Sequence, residues 1–568
     1  MFVVKKPTRN PEYFRIQIVE NVRENGKVKQ KILRNIGTAH NEEEIKQLQK
    51  IAYASIEYEI AKKHRCELLL KYGDNLGDLA KIDDEIVKFN SKSLKEEKRI
   101  HEGIDTVYGN LFDELGFSEI MENSESSKLL KEIVVTRILT PQSKLKTSEI
   151  LEKDCNKPIS VDRIYRLMDK LCEREENLLS ITFQATQKLF KDKIDVLFFD
   201  VTTLYFESTE EDEELKGFGF SKDHKFNQVQ VVLALATTQE GLPIGYKLFR
   251  GNTAETKTLI LCLNEWKKNI QIENVIFVAD RAMFSKENIY ELEKSGYSYI
   301  IAAKLRIMDK LKQQEILNQN GYKVTEFKND LIWTKELEYQ TCYTSSNLSA
   351  NKKMEKTKSI SRLICTYSSK RAKKDENDRE KMLNKINKYL SKKTKTAPTQ
   401  KLVTNACLKK FCIYQGKSYA SLDENKIEND KKWDGMHGVI TNSNKSISEI
   451  LNRYKDLWQI EESFRISKTN LKVRPIYHYK PSRIRAHISI CFLSLCLLRH
   501  LQVRLKRANL PFSLQRVQEE LTRVQYSICK DYSTGLKLKI PSAINPIAQQ
   551  IYSALGIKRN QNVTIYKS

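Results

Sequence analysis

Two short runs of wholly apolar residues, each closed by an aspartate, constrain this chain more than any other feature: Val196-Leu197-Phe198-Phe199 before Asp200, and Val275-Ile276-Phe277-Val278-Ala279 before Asp280. A strand with one wet face alternates apolar and polar residues, so an unbroken apolar run predicts a strand covered on both faces. Further strand-like runs at 228–236 and 242–249 flank the turn Gln239-Glu240-Gly241, and another lies at 299–303. Helical stretches at about 256–268 and 285–295 separate the later strands, so the order predicts a mixed α/β sheet.

The flanking sequence changes character. Polar and apolar residues alternate at 13–19 and 27–33 with Asn25-Gly26 between them, a strong hairpin signal because both turn residues tolerate positive φ. Residues 1–40 therefore read as a small basic β unit. From 41 to 190 the period is helical, and Ser160 is placed to cap a basic helix over 160–171. That helix fits a DNA recognition helix but fits an ordinary amphipathic helix of a bundle better. Residues 191–303 carry the α/β pattern, 304–432 break into isolated strand-like pieces around a highly charged stretch at 370–395, and the pattern resumes over 433–500. A basic helical region, 501–568, follows.

Composition narrows the partners. At 568 residues the chain is long enough for about three or four domains. Its 98 Lys and Arg against 73 Asp and Glu leave a net charge of +25, which favours a polyanion, nucleic acid ahead of an acidic membrane surface. Eleven scattered cysteines with no CxxC pair argue against a disulfide framework or zinc module and for a reducing cytosol. The first residues lack a signal-peptide run, and the most apolar stretch, 488–498, is too short to span a bilayer and reads as a buried helix. A cytoplasmic protein outside the membrane is expected.

The chemistry centres on carboxylates. Ligand sites in open α/β sheets gather at the carboxyl ends of strands, and a carboxylate there is costly to bury unless it is paired or binds a metal. Each aspartate alone is better explained as a cap for the loop or helix that follows, and two in one sheet less so. A third acidic group comes from a helix predicted over 451–471, where Tyr454, Glu461 and Lys468 recur every seven residues and share a stripe with Leu457 and Phe464. Glu462 falls about 100° off that stripe. A coiled-coil-like seam would give the same spacing. Three carboxylates from two strands and a helix suit a two-metal phosphoryl-transfer site for Mg²⁺ or Mn²⁺, with Arg465 and Lys468 holding phosphates and Tyr454 touching the DNA backbone or a displaced base.

Phe-Phe-Asp-Val-Thr-Thr-Leu-Tyr-Phe (198–206), Val-Ala-Asp-Arg-Ala-Met-Phe-Ser (278–285), the series Tyr454, Glu461, Lys468 and Arg-Pro-Ile-Tyr-His (474–478) together resemble a bacterial insertion-sequence transposase of the DDE class, in the insertion-sequence-four superfamily. The signature of that group carries an Arg three residues after its Tyr, where this chain has Leu457, and Ala282 stands where Gly is common. The fragments at 219–225 and 250–253 look familiar for one lineage within the group. The resemblance implies a ribonuclease H-like core, split by a β-rich insertion at 304–432, with a helical end-binding region at 41–190. It also implies that Asp200, Asp280 and Glu461 hold two Mg²⁺ ions, that Tyr454, Arg465, Lys468 and Arg474 contact DNA, and that the chain works as a homodimer on double-stranded element ends and target DNA. Competing readings are a stand-alone metal-dependent nuclease and a non-catalytic DNA-binding relic.

Three features fall outside that scheme. His224 reads first as structural, Asn252 as a turn residue, and the acidic run 210–214 as a solvated loop. The charge, by contrast, has an address: residues 466–568 hold 18 Lys and Arg against 3 Asp and Glu, so +15 of the +25 follows the expected catalytic helix. DNA is therefore expected to run from the site over the C-terminal region, with binding that weakens steeply as salt rises.

Overall fold

In a computed structural model, which describes every residue except 9, 25–26, 54, 57–93, 190–194, 223–224, 226, 270–274, 328–329, 345–355, 391–409, 416–418, 533–534, 536 and 567–568, the chain divides into two units. One comprises residues 1–97, 527–541 and 562–568, the other 98–526 and 542–561.

In the first unit the alternating residues pair as β1 (Phe2–Pro7), β2 (Phe14–Glu24) and β3 (Lys27–Ala39), an antiparallel sheet in that order. Ile16 and Ile18 turn inward against Ile45 and Ala52. Register shifts at Ile16/Gln17 and Ile18/Val19 break the strict alternation, which is why Val19 is buried beside Ile18. The pairing runs to Glu24↔Lys27; the expected Asn25-Gly26 turn lies outside the described residues. β4 (Leu94–His101) joins three strands from the chain's end in a separate four-stranded sheet.

The second unit opens with helices α1 (Gly103–Glu114), α2 (Ser124–Leu139), α3 (Lys144–Lys153), α4 (Val161–Cys172) and α5 (Glu175–Leu189). Ser160 caps α4, accepting from the Arg163 N–H. Buried Ile164, Leu167, Met168 and Leu171 give α4 an inward face, so it is an amphipathic bundle helix. Then come β5 (Val196–Tyr205), β6 (Gln230–Thr238), β7 (Pro243–Arg250), α6 (Glu255–Asn269), β8 (Ile276–Ala279), α7 (Lys286–Lys294) and β9 (Ser298–Ala302). β5 pairs antiparallel with β6, and β6 with β7; on its other edge β5 runs parallel to β8, and β8 to β9.

Residues 304–432, expected as an inserted β-rich subdomain, extend this sheet instead of forming only their own. β10 (Lys323–Phe327), β11 (Asp330–Thr344) and β12 (Lys356–Tyr367) continue it through β15 (Met436–Thr441), giving the order β10-β11-β12-β15-β9-β8-β5-β6-β7. β13 (Cys412–Gln415) and β14 (Tyr419–Leu422) form a separate pair. Strand composition does not encode which sheet edge a strand will join, and here β15 bridges β9 to β12 through backbone hydrogen bonds. The charged stretch is helix α8 (Ser369–Leu390), whose Ile386 packs with Phe411, Cys412 and Ile427.

The predicted helix over 451–471 is two helices, α9 (Ile447–Lys455) and α10 (Trp458–Thr469). Next, α11 (Pro481–Arg507) is apolar on all sides through its middle, 488–498, and that stretch is accordingly buried. It is long and apolar enough to cross a membrane, but 89% of its apolar window lies inside the protein. Its Ser489 hydroxyl meets the Tyr246 hydroxyl of β7 at 2.8 Å, and its Ser494 hydroxyl donates to the Val134 carbonyl of α2 at 3.1 Å. The one helix thus ties the helical bundle to the sheet. The C-terminal region, expected to be helical, holds helices α12 (Leu514–Thr522) and α13 (Pro546–Ala554) but also β16 (Gln525–Asp531), β17 (Lys537–Pro541) and β18 (Thr564–Ile565), the partners of β4. Alternation in Gln525–Asp531 is weak, and pairing with a strand more than 400 residues earlier has no local signature.

Candidate active site

The site starts from register. β5 and β8 run parallel with Val196 opposite Ile276 and Phe199 opposite Ala279, so the next residue on each strand is an aspartate and the two stand side by side. Asp280 sits just beyond the end of its strand, as expected, but Asp200 lies inside β5, which runs on to Tyr205. The difference arises because β5 keeps an antiparallel partner, β6, after β8 has stopped. Asp280 precedes a short turn of 3₁₀ helix without its side chain capping it, so the capping alternative does not account for its carboxylate.

The two carboxylates feel each other. Burial pushes the Asp200 carboxyl up to about 6, Lys222 and the Val201 N–H oppose that rise, and neighbouring Asp280 and Glu255 add to it. The Val201 N–H donates to Asp200 Oδ1 at 2.7 Å.

The third carboxylate arrives by a different route. Ser446 and Glu449 form a capping box that starts α9, which ends at Lys455. Leu457, where the signature of the resembled group carries Arg, is buried in the core as the second residue of the break, directly before α10. That break removes the continuous seven-residue stripe. Tyr454, at the end of α9, directs its hydroxyl to Asp280 Oδ1 at 3.5 Å, while Glu461 lies exposed in the first turn of α10. Burial raises the Tyr454 phenol, and both Asp280 and Glu461 push it the same way. Tyr454 thus feels the charge of both the strand carboxylate and the helix carboxylate. Among the described residues no three Asp, Glu, His or Cys side chains gather closely enough to cage a metal ion, so Glu461 does not complete a ready-made cage with the aspartates.

The remaining expected DNA contacts are spread out. The Arg465 guanidinium grips Glu462 one turn back, at 2.7 and 2.5 Å. Lys468 lies in the last turn of α10, and the Arg474 guanidinium stands 5.3 Å from the centre of the Tyr205 ring. A cleft of about 530 Å³ opens beside Asp280 and Tyr454, with Arg281, Lys304, Arg371 and His437 on its walls. Burial, then Arg371, holds His437 down at about 4, so it is neutral at pH 7, and its ring lies 5.1 Å from that of Tyr454. A larger cavity of about 740 Å³ at the start of β5, bounded by Asp195, Trp458 and Arg499, contains none of the expected site residues.

Lys222 and Glu255 were not anticipated as site residues, although the fragments at 219–225 and 250–253 marked their neighbourhood. His224 lies outside the described residues. Asn252 is exposed in a turn. The acidic run is locally bonded: Asp212 Oδ1 accepts from the N–H groups of Glu214, Leu215 and Lys216, and Glu214 pairs with Arg485 at 2.8 Å.

Two family models match the chain. Transposase DDE domain covers residues 191–497, and IS1634 family transposase, N-terminal domain, covers residues 3–59. No curated protein matches. Among solved structures, the piggyBac transposase synaptic complex with hairpin DNA is similar at 8% identity and a TM-score of 0.35, over 75% of this chain and 82% of that one. The Mos1 transposase paired-end complex with left transposon end is similar at 16% identity and a TM-score of 0.15, over 32% of this chain and 58% of that one.

Proposed function

Because the chain belongs to the DDE transposase family, we propose that it binds the ends of its own mobile element and cleaves and joins DNA there by metal-dependent phosphoryl transfer. Asp200, Asp280 and Glu461 would hold two Mg²⁺ ions, with Mn²⁺ as a substitute. The observation that carries this reading is the parallel register that sets Asp200 against Asp280. Two hard oxygen donors whose ionised forms repel each other fit a divalent cation, which relieves the repulsion. Bound metal supplies positive charge to the attacking and leaving oxygens of an in-line displacement at phosphorus.

The chain's own groups do the rest. Tyr454 orients the Asp280 carboxylate, and Arg465, Lys468 and Arg474 contact the DNA phosphates. Water attacks first and exposes a 3′-hydroxyl at the element end; that hydroxyl then attacks a target phosphodiester, so one P–O bond forms as another breaks. The order β7-β6-β5-β8-β9, with three antiparallel strands followed by two parallel ones, supports a ribonuclease H-like core over 191–303 and 433–500. Residues 1–40 and 41–190 would bind element ends, and two copies would pair them, in the bacterial cytoplasm.

The test uses the full chain, Mg²⁺ and duplex DNA from the termini flanking its gene. Asp200→Asn, Asp280→Asn and Glu461→Gln are each expected to lower cleavage by on the order of 10³-fold, several kcal/mol of lost charge stabilisation, with DNA binding retained. Wild-type cleavage in any of them refutes the site assignment. Cutting without joining to target DNA would favour a stand-alone nuclease.

A further inference from the structure

The described residues 219–222 and the segment 250–253 are locked together near Asp200. A Cβ on Gly219 would fall 2.2 Å from the Gly251 carbonyl, and one on Gly251 would fall 2.1 Å from the Gln230 carbonyl and 2.3 Å from that of Gly217. Only glycine allows backbones to approach so closely. Gln230 Nε2 then donates to the Gly251 carbonyl at 2.9 Å and to the Phe220 carbonyl at 3.2 Å, while the Lys222 N–H donates to Thr203 Oγ1 at 3.2 Å. The loop is thereby fixed on β5, the strand that carries Asp200.

This brace aims one cation. Lys222 Nζ donates to the Val201 carbonyl at 2.5 Å and meets Glu255 Oε1 at 2.9 Å. An ammonium has three donors, and among the described residues the third has no recorded partner. Nor is Lys222 recorded in an ion pair with Asp200, although it is the charge that most favours the ionised aspartate. Its side chain keeps 32% exposure. Among the described residues its ion pair is with Glu255 and not with Asp200, so the ammonium stays beside the Asp200 carboxylate, partly exposed, without being that carboxylate's salt-bridge partner.

Resting on the transposase reading above, we propose that Lys222 is a further phosphate-binding residue of this site, contacting the DNA strand next to Asp200, and that Glu255 is its positioning residue. Neither belongs to the Tyr454–Lys468 signature.

Salt dependence provides the test, because a lysine that neutralises a phosphate contributes about 0.9 to the slope of log K against log salt. For the full chain on duplex from the element termini, Lys222→Gln is expected to weaken binding about tenfold and flatten the slope by about one. Glu255→Gln should raise KM about threefold with a smaller change in kcat, and Lys222→Arg should restore the slope. A wild-type slope and affinity in Lys222→Gln overturn the proposal. Should that variant not fold, amine acetylation of the unaltered protein decides: element-end DNA should protect Lys222 at least fivefold, and equal labelling with and without DNA overturns the proposal. Asp280→Asn, run alongside, separates the two readings. If it cleaves, the proposed reaction fails while the Lys222 slope still stands or falls alone; if it is inactive and Lys222→Gln keeps the wild-type slope, only the present inference fails.

Discussion

The aspartates and the glutamate reach the site by different physical means. Asp200 lies in one of two adjacent parallel strands and Asp280 directly follows the other, so their backbone pairing, Phe199 opposite Ala279, fixes the relative height of the two. Glu461 rides on a helix held by packing: Leu457, Ile460 and Phe464 are buried in the same core cluster as α11. Register is quantised in whole residues, so a strand pair is either right or wrong by a full side chain. A packed helix can be displaced by a fraction of an ångström when its core contacts change. The strand half of the site should therefore tolerate perturbation of the core better than the helix half.

Leu457→Ala puts that contrast under the greatest load. A buried leucine cut to alanine costs about 2–5 kcal/mol, and this one sits at the junction of α9 and α10, directly between Tyr454 and Glu461. A lower thermal midpoint is expected, together with a fall in cleavage beyond that caused by an equally destabilising change in the first unit, such as Ile18→Ala. If the two variants cleave equally once folded, the helix half is as rigid as the strand half and the contrast is wrong.

Protonation probes the strand half by itself. Burial and Asp280 hold the Asp200 carboxyl at about 6, above its ordinary 3.8. Between those values the folded protein keeps a proton that the unfolded chain has released, so stability falls as pH rises from about 4 to 6 and levels off above. The loss amounts to at most about 3 kcal/mol, discounted for the residue's partial exposure. Urea titrations should show this slope in the wild type and not in Asp200→Asn, and Mg²⁺ should recover much of the loss above pH 6. An identical slope in both proteins would locate the titration elsewhere.

What could be read from the sequence follows the same division. Unbroken apolar runs identify strands buried on both faces, and Phe198-Phe199 and Val278-Ala279 became central neighbours in the sheet. Seven-residue spacing presupposes one uninterrupted helix, and nothing in Asp456-Leu457 marks the break, because neither residue is Gly or Pro. The joining of β10, β11 and β12 to the central sheet was invisible for a related reason: edge pairing is made by backbone groups that every residue carries. Lys222 and Glu255 were hidden because they are 33 residues apart in sequence, and their meeting depends on glycine contacts between two loops.

Tyr454 is where the halves touch, and its removal has the smallest expected effect. Its hydroxyl reaches Asp280 Oδ1 at 3.5 Å, the outer limit of a hydrogen bond, so the contact is worth about 1 kcal/mol, or roughly fivefold in rate. Tyr454→Phe keeps the ring and its contact with His437 while losing the hydroxyl; Tyr454→Ala loses both. Cleavage should fall about fivefold in the first and further in the second, with the metal concentration for half-activity rising in both as the Asp280 carboxylate loses its orienting group. A Tyr454→Phe enzyme indistinguishable from wild type would mean that ring packing alone couples the helix to the strands. A loss as deep as that of Glu461→Gln would move Tyr454 from positioning into the chemistry itself.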